Sequence, residues 1–181
     1  MSGPGDHAGA AVEAIRSFAA DAEIECEAGA RDGEWVLVLP GDKKLKTVCS
    51  LLVGDRDLSV SAFVIRRPDE NHEEFYRTLL ARNLRTPGLA YAVDGNGDVF
   101  VVGRLPLAAV DTDALDQLLG VVLESCDGVF NELLVLGFLS SMRREWEWRV
   151  SRGESLRNLE AFRDILQGAE EPSAADGASR A

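Results

Sequence analysis

Apolar and polar positions recur along the chain with two different periods, and the order of these periods predicts the elements. Residues 8–20 carry apolar side chains at helical spacing, which predicts a helix. Strand-like runs follow at residues 23–28, 35–39, 45–53 and 58–64. In the last run, apolar side chains alternate with serines, which indicates a strand with one covered face. Because short turns join the last three runs, we expect three adjacent antiparallel strands.

A second helix is predicted between Asn71, which forms a capping-box pattern with Glu74, and Pro87. It ends before Pro87 because the residue that precedes a proline avoids helical geometry. Four residues share one face of this helix: Tyr76, Leu79, Leu80 and Asn83. A buried amide needs hydrogen-bond partners. We therefore expect Asn83 to bond the backbone of the bend at residues 85–88, with direct contact to a ligand as the alternative.

A hairpin is predicted next, with strands at residues 89–93 and 99–102 joined by residues 94–98. The joining segment, DGNGD, resembles the start of a calcium-binding loop. Such a loop needs glycine at its sixth position and a bidentate acid at its twelfth. These positions are Val99 and Leu105 here, so we interpret the segment as a plain hairpin turn that ends at Asp98.

Helices dominate the rest of the chain. A third helix is predicted from Asp111 to about residue 138, and a further one over residues 140–149. Ser151 and Glu154 form a second capping-box pattern before a terminal helix over residues 156–166. The element order predicts an α+β fold, in which an antiparallel sheet carries helices mainly on one face and C-terminal helices are added.

Length and composition predict one folded domain. The chain has 181 residues, of which 46% are hydrophobic. The terminal segments are small, polar and acidic, and such segments bury too little surface to offset the entropy of ordering. We expect a flexible tail over residues 1–7, a single domain over residues 8–167 and a disordered tail over residues 168–181.

The charge balance excludes some classes of function. Asp and Glu number 31 against 19 Lys and Arg, for a formal net charge of −12. This charge opposes binding to phosphate backbones, so a nucleic-acid-associated regulator is only the second alternative. The first residues form no signal peptide, and no apolar run is long enough to span a bilayer. The three cysteines cannot all pair within one chain, so we expect reduced thiols and a cytoplasmic location.

Catalytic chemistry has few candidates in this chain. Its two histidines are His7, in the predicted tail, and His72, among acids at a helix start. No catalytic, cofactor-binding or metal-binding residues are predicted. The first alternative function is a small thiol-based enzyme or redox sensor that uses Cys49. Lysines shortly before Cys49 could lower the pKa of its thiol, although strand alternation could instead bury it.

One locally basic segment interrupts the acidic chain. On a helix over residues 140–149 and beyond, Trp146 would face inward, while Trp148 would lie beside Arg144 and Arg152 at four-residue spacing. Arginine and tryptophan are enriched where proteins meet. Arg144, Trp148 and Arg152 are therefore the candidate protein-binding residues, with plain packing and nucleic-acid binding as the alternatives.

The middle of the chain resembles the YbjN family, whose members adopt a type III secretion chaperone-like fold. The resemblance spans roughly residues 34–135. It is carried by FYRTLLARNL at residues 75–84, Pro87, AYAV at 90–93, DVFV at 98–101, LPL at 105–107 and Asp111. The positions that match the family's motifs are Leu79, Leu80, Asn83, Pro87 and Asp98. The composition, rich in alanine, arginine and acids, is similar to that of actinobacterial proteins.

The resemblance implies a compact α+β module without known catalysis that binds proteins. Secretion chaperones of this fold commonly form homodimers and bind extended segments of their clients. The leading hypothesis is therefore a non-enzymatic, chaperone-like or regulatory module. It would bind a protein partner through an apolar face and need no cofactor. The extra C-terminal helices depart from the family pattern.

Overall fold

The computed structural model describes residues 4–167, and the chain divides into two compact units at Gly137. The helices are α1 (Pro4–Asp21), α2 (His72–Asn83), α3 (Thr112–Leu123), α4 (Phe130–Arg152) and α5 (Arg163–Gln167). The strands are β1 (Glu25–Ala28), β2 (Glu34–Pro40), β3 (Lys46–Val53), β4 (Asp57–Ile65), β5 (Leu89–Val93) and β6 (Val99–Pro106). Two 3₁₀ turns (Leu107–Ala109, Arg157–Phe162) and a π-helical turn (Glu124–Gly128) complete the described elements.

The six strands form one antiparallel sheet in the order β1-β2-β3-β4-β6-β5. The three predicted neighbours β2, β3 and β4 are confirmed, as is the hairpin of β5 and β6. The hairpin adds to the sheet through its second strand, so that β6 pairs with β4 and β5 becomes an edge. Residue periodicity identifies strands but carries no information about this pairing.

One face of the sheet is covered by helices. Helix α1 packs on β3, the π-helical turn lies on β4, and α2 lies on β5. Alternate strand residues form the core: Leu37, Leu39, Cys49, Leu51, Leu58, Val60, Ala62, Val64, Tyr91, Val99 and Val101 are all buried. Ile15, Phe75, Leu115 and Val122 are buried on the helices. The predicted α+β class is therefore confirmed.

The chain termini differ in part from the expected tails. Helix α1 begins at Pro4, so residues 4–7 are helical, ahead of the predicted helix start. The expected disordered tail over residues 168–181 lies outside the described residues. The extent of a single domain over residues 8–167 stays a prediction, since residues 4–137 and 138–167 belong to different compact units.

Helix α2 differs from its prediction at the cap and on its buried face. Asn71 adopts a left-handed conformation (φ 52°), and its side chain makes no cap. Its Nδ2 instead donates to the Leu136 carbonyl at 2.9 Å. The capping box is therefore wrong, because a tertiary contact takes the side chain. Phe75 and Leu79 form the buried face, whereas Leu80 is 66% exposed.

The long helical region breaks earlier than predicted. Helix α3 starts where expected, with Asp111 as its cap, but it ends at Leu123, and the π-helical turn separates it from α4. Helix α4 then runs without the break predicted near residue 138. Gly137 lies inside this helix for packing reasons. A Cβ there would come within 2.8 Å of the Pro68 Cβ and 2.9 Å of the Phe75 ring.

The second compact unit, residues 138–167, contains most of α4, a 3₁₀ turn and the short α5. Trp146 is buried as expected, and the Arg163 guanidinium lies 5.6 Å from its ring centroid. The predicted capping box at Ser151 is wrong, because α4 continues to Arg152 and ends before Gly153, whose φ is 68°. The terminal helix is replaced by the 3₁₀ turn and α5.

Candidate protein-binding surface

The sheet has a second face, which we call the open face. It consists of the strand residues that alternate with the core: Val36, Val38, Val48, Ser50, Leu52, Ser59, Ser61, Phe63, Ala90, Ala92, Phe100 and Val102. All of them are at least partly exposed, with Val48 at 43% and Phe63 at 37%. Alternation alone places them here, because successive side chains of a strand point to opposite faces.

An apolar strip crosses the open face along one row of cross-strand neighbours. Val48 stands opposite Val38, and Phe100 lies between Phe63 and Ala92. The Phe63 and Phe100 rings meet edge to face, with centroids 5.5 Å apart. Such pairs stabilise a sheet. They also leave an exposed apolar surface, which on a monomer commonly marks an interaction site when it is extensive.

A second row on the open face mixes serine with valine. Ser50 pairs in register with Ser61, and Ser61 with Val102. Serine hydroxyls both donate and accept hydrogen bonds. The two rows together therefore offer apolar contact and hydrogen bonding side by side.

Charged groups lie along one side of the open face, in the row that runs from Glu34 through Leu52 and Ser59 to Arg104. On β2, Glu34 accepts from the Arg31 guanidinium at 2.7 Å and from the Ser50 hydroxyl at 2.5 Å. These bonds, with Arg31 contributing most, lower the pKa of the Glu34 carboxyl to about 2. On β6, Arg104 pairs with Asp57 at 3.3 Å. The open face thus has a polar rim on this side, two rows from the apolar strip.

Asn83 closes the β5 edge of the sheet. Its Oδ1 accepts from the Tyr91 N–H at 2.7 Å, and its Nδ2 donates to the Tyr91 carbonyl at 3.3 Å. The side-chain amide thus occupies the place of a neighbouring strand. The expected bond to the bend at residues 85–88 is wrong, because the fold brings β5 closer to Asn83 than that bend. Pro87 is exposed beyond the end of α2.

The β1 edge is protected by other means. Strand β1 has four residues, and Glu25 and Glu27 are exposed on it. A short, charged edge discourages pairing with another chain. The β1 edge is therefore unfavourable for pairing, and the β5 edge is occupied at Tyr91.

Asp98 has a structural role in the hairpin turn. Its Oδ1 accepts from the Arg67 N–H at 2.8 Å, while Asp94 Oδ1 accepts from the N–H groups of Asn96 and Asp98, both at 2.9 Å. The Tyr76 hydroxyl donates to the Gly97 carbonyl at 3.1 Å. The carboxylates in this turn are thus occupied by backbone donors.

The sequence-predicted surface lies on α4 within residues 138–167. Trp148 is 45% exposed, and the Arg152 guanidinium lies 5.3 Å from its ring centroid, as the four-residue spacing predicts. Arg144 donates to the Ser141 hydroxyl at 3.0 Å instead of joining this pair. The helix therefore brings two of the three candidate residues together.

The thiol chemistry considered for Cys49 is contradicted by its position. Cys49 is fully buried, and burial raises the pKa of its thiol to about 12. The Lys44 amine, one of the expected activating groups, donates instead to the carbonyls of Phe63 and Val64. A buried neutral thiol is a poor nucleophile. Strand alternation therefore outweighs the nearby lysines.

Within residues 4–167, no three His, Cys, Asp or Glu side chains are grouped so that they could hold a metal ion. No helix in this part of the chain is long and apolar enough to cross a bilayer.

Solved structures of chaperone-containing complexes share this fold. One chain of the HopA1–SchA chaperone–effector complex matches with a TM-score of 0.50 and 14% identity, over 67% of this chain and 92% of that chain. One chain of the ExsC–ExsE complex matches with a TM-score of 0.50 and 16% identity, over 67% of this chain and 91% of that chain. The Yersinia pestis type III secretion chaperone SycH, in complex with a YscM2 fragment, has a TM-score of 0.46 and 15% identity, over 70% of this chain and 98% of that chain. The predicted type III secretion chaperone-like fold is confirmed.

The sequence comparisons place the chain within that class. The YbjN family profile, described as "Putative bacterial sensory transduction regulator", matches residues 11–135. The chain belongs to the YbjN family. An uncharacterised protein of Mycobacterium leprae is 53% identical over 131 residues, which cover 72% of this chain and 71% of that protein. An uncharacterised protein of Mycobacterium tuberculosis is 55% identical over 127 residues, which cover 70% of this chain and 69% of that protein.

Sequence reasoning predicted an apolar binding face but did not locate it on these strand residues, although a signal was present. Only for residues 58–64 did the alternation with serines predict a strand with one covered face. In β3 and β6, however, residues of both alternating sets are apolar, such as Val48 and Leu51 or Phe100 and Val101. An apolar second set on a sheet with helices on one side predicts an exposed apolar face.

Proposed function

We propose that this protein is a non-enzymatic, chaperone-like or regulatory interaction module that binds an extended segment of a protein partner on its open face. The observation that carries the proposal is the exposed strip centred on Phe63 and Phe100, with serines in the neighbouring row. Complexes with partner proteins are known for structures of the same fold, which supports the same kind of activity here.

The chemistry of the open face defines the segment that it fits. Aliphatic or aromatic side chains would cover the apolar strip, and each that becomes fully buried contributes about 1.5–3 kcal/mol before the costs of association. Polar groups of the segment would bond Ser50 and Ser61. A segment with apolar residues at alternate positions meets both demands.

The Trp148–Arg152 pair on α4 is the second candidate contact surface of the same module. An exposed tryptophan stacked by arginine is a common anchor at interfaces. Arg144 belongs to this candidate through its place on the helix. This surface lies in the other compact unit and is tested separately.

The deciding experiment compares variants in affinity capture from lysate of the source cells, with partners identified by mass spectrometry. Phe63→Asp places a charge in the apolar strip, and Leu80→Asp is the matched control at an exposed position on α2. We expect a specific partner to be lost with Phe63→Asp and retained with Leu80→Asp, while both variants stay folded. Retention of every partner by Phe63→Asp would refute binding on the open face.

The second surface has its own variant in the same experiment. The double substitution Trp148→Ala with Arg144→Ala removes the exposed ring and one cation. Loss of a partner would assign it to this surface, and retention of all partners would remove the surface from the proposal.

A second copy of the chain is a further occupant that the proposal includes. The mass of the purified protein in solution distinguishes a homodimer from a monomer, and Phe63→Asp should dissociate a dimer formed through the open face. A cytoplasmic location is part of the same proposal, and the three free cysteines fit a reducing compartment.

The nucleic-acid alternative receives little support from the arginines of α4. Arg149 is held by Glu145 at 2.6 Å and by the Ser155 carbonyl at 2.8 Å, and the net charge of the chain is −12. Binding of DNA or RNA at low salt, lost with Arg144→Ala and Arg152→Ala, would revive this alternative.

A further inference from the structure

The apolar strip of the open face ends in carboxylates at strand β1. Glu25 stands opposite Val38 and Glu27 stands opposite Val36, and cross-strand partners share one face of a sheet. Both glutamates therefore belong to the open face, where they are exposed. Within residues 4–167, neither carboxylate has a cation at ion-pair distance. The row that carries the strip thus begins with negative charge that this part of the chain leaves unneutralised.

The cations nearest to the strip lie away from this end. The Lys44 amine is 5.0 Å from the Phe63 ring centroid, which is in the middle of the strip. Lys46 is exposed on β3 and precedes Val48 by two residues, so it lies on the open face beside the strip. The electrostatic potential therefore changes sign along the strip, from negative at β1 to positive near its middle.

The row from β1 to β5 has the length of a short extended segment. It crosses all six strands, and neighbouring strands lie about 4.8 Å apart, so the row measures roughly 24 Å. An extended chain rises about 3.3 Å per residue, so about seven residues cross the row. Every second side chain of such a segment faces the sheet. A residue at one end of the segment then lies over Glu25, while apolar residues lie over Val48, Phe63 and Phe100.

We propose that the segment bound on the open face carries a lysine or arginine at the end that lies over Glu25 and Glu27, and uncharged residues along the strip. This pattern rests on the proposed function and deepens it by naming the charge of the partner. A cation over β1 forms the ion pairs that the carboxylates lack within residues 4–167. A cation farther along the segment approaches Lys44 and Lys46, and an acid over β1 is repelled.

Protection of the β1 edge does not account for the sign of these two charges. Charged side chains discourage pairing at an edge strand whether they are acidic or basic, and lysine is especially common there. Replacing both glutamates by lysine therefore keeps the edge charged and reverses the charge that a bound segment meets. This substitution separates the two roles.

The test is selection from a phage-displayed library of random peptides of about twelve residues, longer than the row requires, on the purified full chain. Peptides whose binding is lost with Phe63→Asp should carry apolar residues at alternate positions. We expect Lys or Arg to be enriched at one end of that apolar run and depleted within it. Selection on the double variant Glu25→Lys with Glu27→Lys should instead enrich Asp or Glu at that end.

Affinities of one selected basic peptide, measured by fluorescence anisotropy, make the effect quantitative. The double variant Glu25→Lys with Glu27→Lys should bind it about threefold to tenfold more weakly than the wild type, as expected for exposed charge pairs. The matched control is Glu13→Lys with Asp116→Lys, which changes the net charge equally at exposed positions of α1 and α3. These helices lie on the covered side, so the control should leave the affinity unchanged.

The possible results separate this inference from the proposed function. Selected peptides that depend on Phe63 but show no terminal cation would overturn the charge pattern and leave binding on the open face intact. An equal loss of affinity in the control would assign the preference to net charge and would also overturn it. A dimer that Phe63→Asp dissociates would make a second copy the occupant and overturn it likewise. A monomer for which no selected peptide depends on Phe63 would refute the proposed function itself.

Discussion

The two faces of the sheet are built from the same strands but differ in how far their apolar side chains are buried. On the covered face, Leu51 and Val60 are buried under helices, and their packing holds the fold together. On the open face, Val48 and Phe63 keep more than a third of their surface exposed. Apolar side chains thus stabilise the fold on the covered face, and on the open face they form the surface that we propose binds a partner.

The same difference extends to the polar groups near each face. Asp127, in the π-helical turn on the covered side, is buried and accepts the backbone N–H groups of Lys43 and Lys44. Burial would raise the pKa of its carboxyl, but these bonds lower it overall. At the open face, Glu34 accepts from the side chains of Arg31 and Ser50 and from the Arg31 backbone N–H. Asp127 thus holds a loop that is distant in sequence, whereas two of the three donors to Glu34 come from a residue three positions away.

The largest expected effect comes from truncating the covered face. Leu51→Ala should cost about 3 kcal/mol of unfolding free energy, since it leaves a cavity in the core. Val48→Ala, on the same strand but facing the other way, should cost less than about 1 kcal/mol. Urea denaturation of both variants makes the comparison, and equal losses would mean that the open face is also part of the core.

The second-largest loss of stability is expected at Asp127, which binds the β2–β3 loop on the covered side of the sheet. Asp127→Ala should cost about 2–3 kcal/mol, because two backbone N–H groups of the β2–β3 loop lose a charged acceptor. Asp116→Ala, at an exposed position of α3, is the control and should change stability little. Denaturation midpoints measure both. A loss with Asp127→Ala no larger than that of the control would show that the loop is held by other contacts.

A smaller effect is expected at the sheet edge. Asn83→Leu should cost about 1–2 kcal/mol, since it removes both partners of the Tyr91 backbone. Hydrogen exchange at the Tyr91 amide should accelerate, and the freed edge should promote self-association. Leu80→Ala on the same helix provides the comparison. Unchanged exchange at Tyr91 would contradict the role assigned to Asn83.

The smallest effect is the pH response of the open-face rim. The pKa of the Glu34 carboxyl is about 2 in the folded chain, against an ordinary value of 4.5. Because the folded-state pKa is the lower one, the stabilisation is present above pH 4.5 and is lost as pH falls from there towards about 2. The stability difference between wild type and Glu34→Gln should shrink over that interval. A difference that is independent of pH would contradict this assignment.

Local patterns predicted much of the fold and less of the site. Alternation identified the strands, DGNGD identified the hairpin turn, and the acids at Asp111 and Asp113 correctly indicated a helix start. Asn71, Asn83 and Ser151 were assigned local partners and found others. A short polar side chain forms hydrogen bonds with the backbone groups that the fold brings near it. The spacing of residues along the sequence does not show which groups these are.

The sequence was sufficient for the fold class, the family resemblance and the burial of one residue set in each strand, because periodicity and turn chemistry act over a few neighbours. Its likeness to a known family also carried the expectation of protein binding. The placement of β6 between β4 and β5, the open face and the pairing of Asn83 with Tyr91 arise only when distant segments meet. Long-range hydrogen bonding and packing select among arrangements that local propensity leaves equal in energy.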